Sequence, residues 1–168
     1  MASPPAQHRA QAPRSIRCAV ITVSDTRTEE TDTSGRAIVE LLTAAGHHVV
    51  GHTILKDDPI LVRARVHAFL ASDAQVILTT GGTGITSRDS TYEAVTALYE
   101  KRLEGFGELF RMLSFKEIGP AAMMSRASAG LAAGRIIVSL PGSEDAVRLA
   151  LEQLLLPELG HLVQQAQR

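Results

Sequence analysis

Cysteine is almost absent. Cys18 stands alone, so the chain cannot staple itself with an internal disulfide. Long hydrophobic runs are missing as well: no segment reaches the roughly 20 apolar residues of a membrane span, and the N-terminus lacks a signal-peptide core. These absences favour a reducing cytoplasm. Charge of one sign is also lacking, because 17 Lys and Arg nearly balance 18 Asp and Glu. No overall field therefore draws the protein toward nucleic acid or an anionic membrane, and any anion site must be local. No internal repeat is found.

What remains is a chain of 168 residues with 45% hydrophobic content, enough for one well-buried core and short for two. Residues 1–14 are rich in Pro, Ala and Gln without periodicity and read as a loose tail; residues 15–168 read as a single domain. Ile16 to Val23 is a short β-branched run of the kind that forms a strand buried on both faces. Asp32, Thr33 or Ser34 offers an N-cap to a helix carrying Ile38, Leu41 and Leu42, which Gly46 ends. His47 to Leu55 predicts a second strand. Pro59 suits the first turn of a helix with Val62, Val66 and Phe69 on one stripe. A third strand ends at Thr80, and a helix through Ala94, Val95 and Leu98 follows.

Beyond this point the pattern is less regular. Phe106, Leu109, Phe110 and Leu113 suggest a short helix, and residues 121–126 another. A strand follows over residues 135–140, then a helix from Glu144, and Pro157 is expected to restart a last one. Repeated βα alternation predicts a three-layer α/β fold: an open, mostly parallel sheet with helices on both faces.

Ligands of such sheets bind at the carboxyl ends of the strands. Four junctions fall there: Ser24-Asp25-Thr26, Lys56-Asp57-Asp58, the GGTG loop Gly81-Gly82-Thr83-Gly84, and Pro141-Gly142-Ser143. GGTG presents backbone N–H groups with few Cβ atoms in the way and a helix close behind, which suits an anion. The same glycines serve a plain βα turn. The motif is not a Walker loop, since Ile85-Thr86-Ser87 replaces Lys-Ser/Thr, nor a dinucleotide fingerprint, which needs a third glycine where Ser87 stands. Asp57 and Asp89 follow neighbouring strands and together suit Mg²⁺ with nucleotide phosphates, while each alone reads more readily as a helix cap. Arg88 is either a phosphate clamp or a solvated charge. His47 points away from the face shared by His48 and His52, which speaks against a zinc site. Cys18 reads as core.

The segments TVSDTR with DTSG, LTTGGTGITSRDSTYEA, MMSRASAG and SLPGSEDAV strongly resemble the MogA/MoaB family of molybdenum cofactor biosynthesis, which includes gephyrin-like G domains. EGFGELFRMLSFKEIG is similar to the MoaB branch in particular. The resemblance implies the molybdenum cofactor biosynthesis protein-like fold. It further implies a site that binds molybdopterin and ATP with Mg²⁺ and transfers AMP to the pterin's terminal phosphate. In that picture Asp57, or Asp58 beside it, and Asp89 are the central carboxylates and metal ligands. Thr22, Ser24, Asp25, Gly81, Gly82, Thr83, Gly84, Ser125, Pro141, Gly142 and Ser143 surround the ligands. A non-catalytic molybdopterin-binding or scaffold protein of the same pathway is the alternative. Homotrimers or homohexamers are expected, with Phe106, Phe110, Met112, Met123 and Met124 as an apolar contact surface, and other proteins of the pathway as possible partners.

Overall fold

The computed structural model describes residues 12–168. Most of the expected tail therefore lies outside the described residues. Strands β1 (Arg17–Val23), β2 (His48–Leu55) and β3 (Val76–Thr80) alternate with helices α1 (Thr33–Ala44), α2 (Pro59–Leu70) and α3 (Thr91–Thr96). There follow β4 (Lys101–Arg102), α4 (Glu104–Ile118), a 3₁₀ turn (Gly119–Met124), β5 (Ser128–Ala132) and β6 (Arg135–Leu140). The chain ends in α5 (Glu144–Ala150), a π-helical segment (Leu151–Leu155) and α6 (Leu156–Ala166).

The six strands form one sheet in the order β2-β1-β3-β6-β5-β4. The first four are parallel; at the edge beyond them β5 pairs antiparallel with β6, and β4 antiparallel with β5. Alternation along β1 feeds a core on each face. Cys18 and Val20 join Ile38, Leu42 and Leu151 on one side, whereas Ala19 and Ile21 join Val62, Val66 and Val95 on the other. Burial on both faces explains why β1 and β3 are apolar throughout. It also pushes the Cys18 thiol up to about 12, which leaves it an inert core residue.

Three features depart from the sequence expectations. The strands β4 and β5 went unforeseen. SAGLA is made mostly of small side chains with no β-branched residue, and β4 is a charged pair whose lysine and arginine guard the sheet edge. Residues 119–124 form a 3₁₀ turn where an ordinary helix over 121–126 was expected. Pro157 does not restart a helix, because the rod from Glu144 runs through it. Proline lacks an N–H and its ring crowds the carbonyl four residues back, and the widened π turn just before it relieves that conflict.

Candidate functional site

The strand order brings the four junctions to one edge, and backbone and side-chain bonds tie them to each other. Ser24 N–H donates to the Leu55 carbonyl at 2.8 Å, joining the end of β1 to β2. Asp25 Oδ1 accepts from Asp57 N–H at 3.2 Å. On the far side, Gly81 N–H donates to the Leu140 carbonyl at 2.9 Å, and the Thr80 hydroxyl to the Pro141 carbonyl at 2.8 Å. Arg27 spans the crevice mouth, donating to Thr31 O at 2.7 Å and reaching Gly142 O at 3.5 Å.

Glycines are required where the loop turns. Gly81 and Gly82 have φ of +102° and +66°. A Cβ on Gly82 would collide with the Thr91 hydroxyl and lie 2.7 Å from Asp57 Oδ2. Thr91 Oγ1 is itself buried without a hydrogen-bond partner, a polar atom left over beside the loop.

The two neighbouring aspartates divide their work. Asp58 caps α2, accepting from the N–H groups of Ile60 and Leu61 at 2.8 and 3.2 Å. Asp57 does not cap its own helix. Its Oδ1 accepts from the Ser90 hydroxyl at 2.6 Å and the Ser90 N–H at 3.3 Å, and its Oδ2 faces Gly82 with no hydrogen bond among the described residues. Asp89 is not the cap of α3 either. Its Oδ2 accepts from the N–H and hydroxyl of Thr86, at 2.8 and 2.6 Å, closing the loop that follows GGTG.

Burial raises the Asp89 pKa, but the Thr86 and Gly84 hydrogen bonds and the charge of Arg126 outweigh it and hold the group below the usual carboxylate range. A depressed folded value means that this tie stabilises the loop above the ordinary pKa of about 3.9 and is lost as pH falls through the lower value. In a pH titration by NMR, the Thr86 amide should therefore keep its native shift to below pH ~4. A midpoint at or above the ordinary value would contradict the tie.

Arg88 is engaged rather than free. Its Nη2 lies 2.7 Å from Asp25 Oδ2, on the surface. The Arg88 hydrogen bond holds the Asp25 pKa down, and Asp25 raises that of Arg88. An incoming phosphate would have to exchange with Asp25 for this guanidinium.

Ser143 Oγ caps α5 by accepting from Ala146 N–H at 3.4 Å. Ser125 reaches the loop through its neighbour, since Arg126 N–H donates to Thr83 O at 3.0 Å. Thr22 is turned inward. Its hydroxyl donates to Asp32 Oδ2 at 2.6 Å and lies 3.0 Å from His52 Nε2. Asp32, fully buried, also caps α1 by accepting from Gly35 N–H at 2.9 Å. Replacing Thr22 by Val strips a buried carboxylate of a donor and should cost about 1–3 kcal/mol, read as a shift in urea unfolding. No loss would mean that His52, whose Nε2 lies 3.0 Å from Asp32 Oδ2, satisfies that oxygen without Thr22.

The residue that sequence reading passed over is Arg126. Its Nε donates to Gly84 O at 2.8 Å, its Nη2 reaches Asp89 O at 3.3 Å, it pairs with Glu93, and its guanidinium lies 4.8 Å from the centre of the Tyr92 ring. It grips both ends of the loop. The hint lay in MMSRASAG, but nothing in sequence spacing links that segment to Gly84. Among the described residues, no group of three His, Cys, Asp or Glu side chains converges.

An open α/β sheet that gathers a glycine loop and carboxylates at the carboxyl ends of its strands belongs to the class of folds whose ligands bind at that edge. Residues 19–161 match a family model described as "Probable molybdopterin binding domain". The chain is 53% identical over 158 residues to molybdenum cofactor biosynthesis protein B of Bacillus cereus, covering 93% of this chain and 94% of that one. It is 48% identical over 164 residues to the Bacillus subtilis protein of the same name, covering 96% of each. The crystal structure of the tungsten cofactor synthesizing protein MoaB from Pyrococcus furiosus superposes with a TM-score of 0.85 at 41% identity, covering 94% of this chain and all of that one. The chain belongs to the MoaB/MogA family of molybdenum cofactor biosynthesis proteins.

Proposed function

We propose that the protein is a molybdopterin adenylyltransferase: a terminal phosphate oxygen of molybdopterin attacks the α-phosphorus of ATP, and the bond to the bridging oxygen breaks to release pyrophosphate. The observation that carries this reading is Asp57, whose Oδ2 has no hydrogen bond among the described residues and lies beside Gly82, while the Asp89 carboxylate lies beside Gly84 in the same loop. Adenylyl transfer asks for alignment and charge neutralisation more than for covalent work by the protein. The N–H groups of the loop suit phosphate oxygens, and the Thr91 hydroxyl is a further unspent polar group.

The donor set also fits Mg²⁺. This ion takes oxygen ligands, retains water, and rests on one or two carboxylates plus substrate phosphates. Asp57 and Asp89 would hold it. Bound there, it would neutralise developing phosphate charge.

Incubation with molybdopterin, ATP and Mg²⁺ should yield adenylated pterin and stoichiometric pyrophosphate. Saturable pterin binding with no product at high protein concentration would overturn the transferase and leave a binding protein of the same pathway.

Self-association belongs to the same proposal. Of the residues expected at the contact, Phe110 is 1% exposed and stacks on the half-buried Phe106, so both are core. Met112, Met123 and Met124 remain exposed, joined by Leu109, Phe115 and Ile118 on α4 and its continuation. This apolar face suits a second copy. Light scattering should report a trimer or hexamer, and Met112→Asp should shift it toward monomer. No helix is long and apolar enough to cross a membrane among the described residues, and a lone buried thiol accords with the cytoplasm.

A further inference from the structure

A cavity of about 300 Å³ opens between β4, α4 and β5, and the reaction proposed above does not use it. Three arginines line it, Arg102, Arg111 and Arg126, against one carboxylate, Glu104. That concentration of cations is out of keeping with a chain whose formal net charge is -1. Arg126 is neutralised by Glu93. Arg102 and Arg111 have no carboxylate partner among the described residues, and Arg111 is held in place by backbone carbonyls.

The holding is built into the backbone. Arg111 Nη1 donates to the carbonyls of Ala127 and Ser125, at 3.1 and 3.5 Å. Its guanidinium lies on Gly107, where a Cβ would come within 2.7 Å of Nη2. The Tyr99 ring lies on Gly130 in the same manner, and a Cβ there would strike the ring. Tyr99 Oη and Ser128 Oγ are 3.0 Å apart at the wall, and Arg102 sits 5.9 Å from the Tyr99 ring centre. Two glycines, one on a helix and one on a strand, thus leave room for the side chains that define the cavity. Burial pushes the Tyr99 phenol up to about 12, so it stays protonated and able to donate.

The anchored guanidinium of Arg111 and the exposed one of Arg102, beside hydroxyls in a partly enclosed space, are complementary to a tetrahedral oxyanion. We propose that this cavity is a second anion site, which takes a phosphate group between Arg102 and Arg111. It stands on observations separate from the glycine loop, sharing Tyr92, Ser125 and Arg126 with that region.

The test uses the full chain and two probes in separate arms: inorganic phosphate, and phenyl phosphate to represent a phosphate carried on a ring. The Nε–H signals of Arg102 and Arg111 should shift together and saturate in NMR titrations. Tighter binding of phenyl phosphate would identify the ligand as an aromatic phosphate ester resting against Tyr92 and Tyr99; equal binding would identify a free oxyanion. Arg111→Gln and Arg102→Gln should each weaken the response about tenfold. Arg102 is exposed on a two-residue edge strand, so its variant will fold even if loss of Arg111 disturbs α4. Movement of the Gly81 to Gly84 signals alone, with both arginines silent, would overturn the site. So would undiminished binding in both variants, or a carboxylate from a second copy seated in the cavity. Because the readout is local to the arginines, failure of adenylyl transfer would leave this result intact.

Discussion

Asp57→Asn should reduce adenylyl transfer about 100-fold or more while leaving the fold intact. The amide oxygen can still accept from Ser90 as Oδ1 does, so the link between the second and third strand ends survives. What disappears is the negative charge facing Gly82, on the oxygen that no protein donor occupies. Removing one preorganised electrostatic contact at a reacting phosphate has effects of about 10²–10³ in rate. Asp58→Ala supplies the contrast. It removes the cap of α2, so it should cost about 1 kcal/mol of stability and leave the rate nearly unchanged. Rates measured as pyrophosphate release, beside urea unfolding of both variants, decide between the carboxylates. Equal loss of rate in both, or none in Asp57→Asn, would remove Asp57 from the proposed chemistry.

Gly81→Ala should produce the largest loss of stability of any single methyl addition in the loop. At φ +102° an L side chain is strained whatever the space around it, and here the Cβ would collide with the Val23 carbonyl oxygen, a backbone atom that cannot swing away. Strain of 1–2 kcal/mol plus displacement of the β1 and β3 ends implies about 3 kcal/mol or more. For a chain of this length that is a fall in Tm of roughly 10 °C. Gly105→Ala is the control: it adds a Cβ near the start of α4 with nothing within 4 Å, and should leave Tm unchanged or slightly raised. A Gly81→Ala protein as stable as the parent would show that the loop can adopt another turn, and the cradle geometry would then lose its basis.

Much of this molecule is written in local pattern. Parallel strands buried on both faces read as apolar runs, and helices that cover them read as stripes, so βαβ alternation and the gathering of the four junctions at the carboxyl edge follow from sequence alone. GGTG is legible for a similar reason: positive φ and open N–H groups demand glycine whatever lies nearby. Small or charged strands are not legible, because β5 and β4 are defined by the partners they pair with rather than by their own side chains. Phe110 and Met112 look alike in a chain of letters. One is core and the other surface because α4 packs by a single face.

By itself, then, the sequence determined the fold class, the family and the four junctions that meet at one edge. Tertiary structure alone decided which of two adjacent aspartates caps a helix and which faces the loop, a matter of how β2 ends relative to Ser90. It decided that Arg126 clamps Gly84 from 42 residues away, that Thr22 serves a buried carboxylate, and that Arg102 and Arg111 converge on one cavity. Periodicity reports only what a residue's own segment buries. Hydrogen bonds and charges between segments depend on distances that exist only once the strands have taken their order in the sheet.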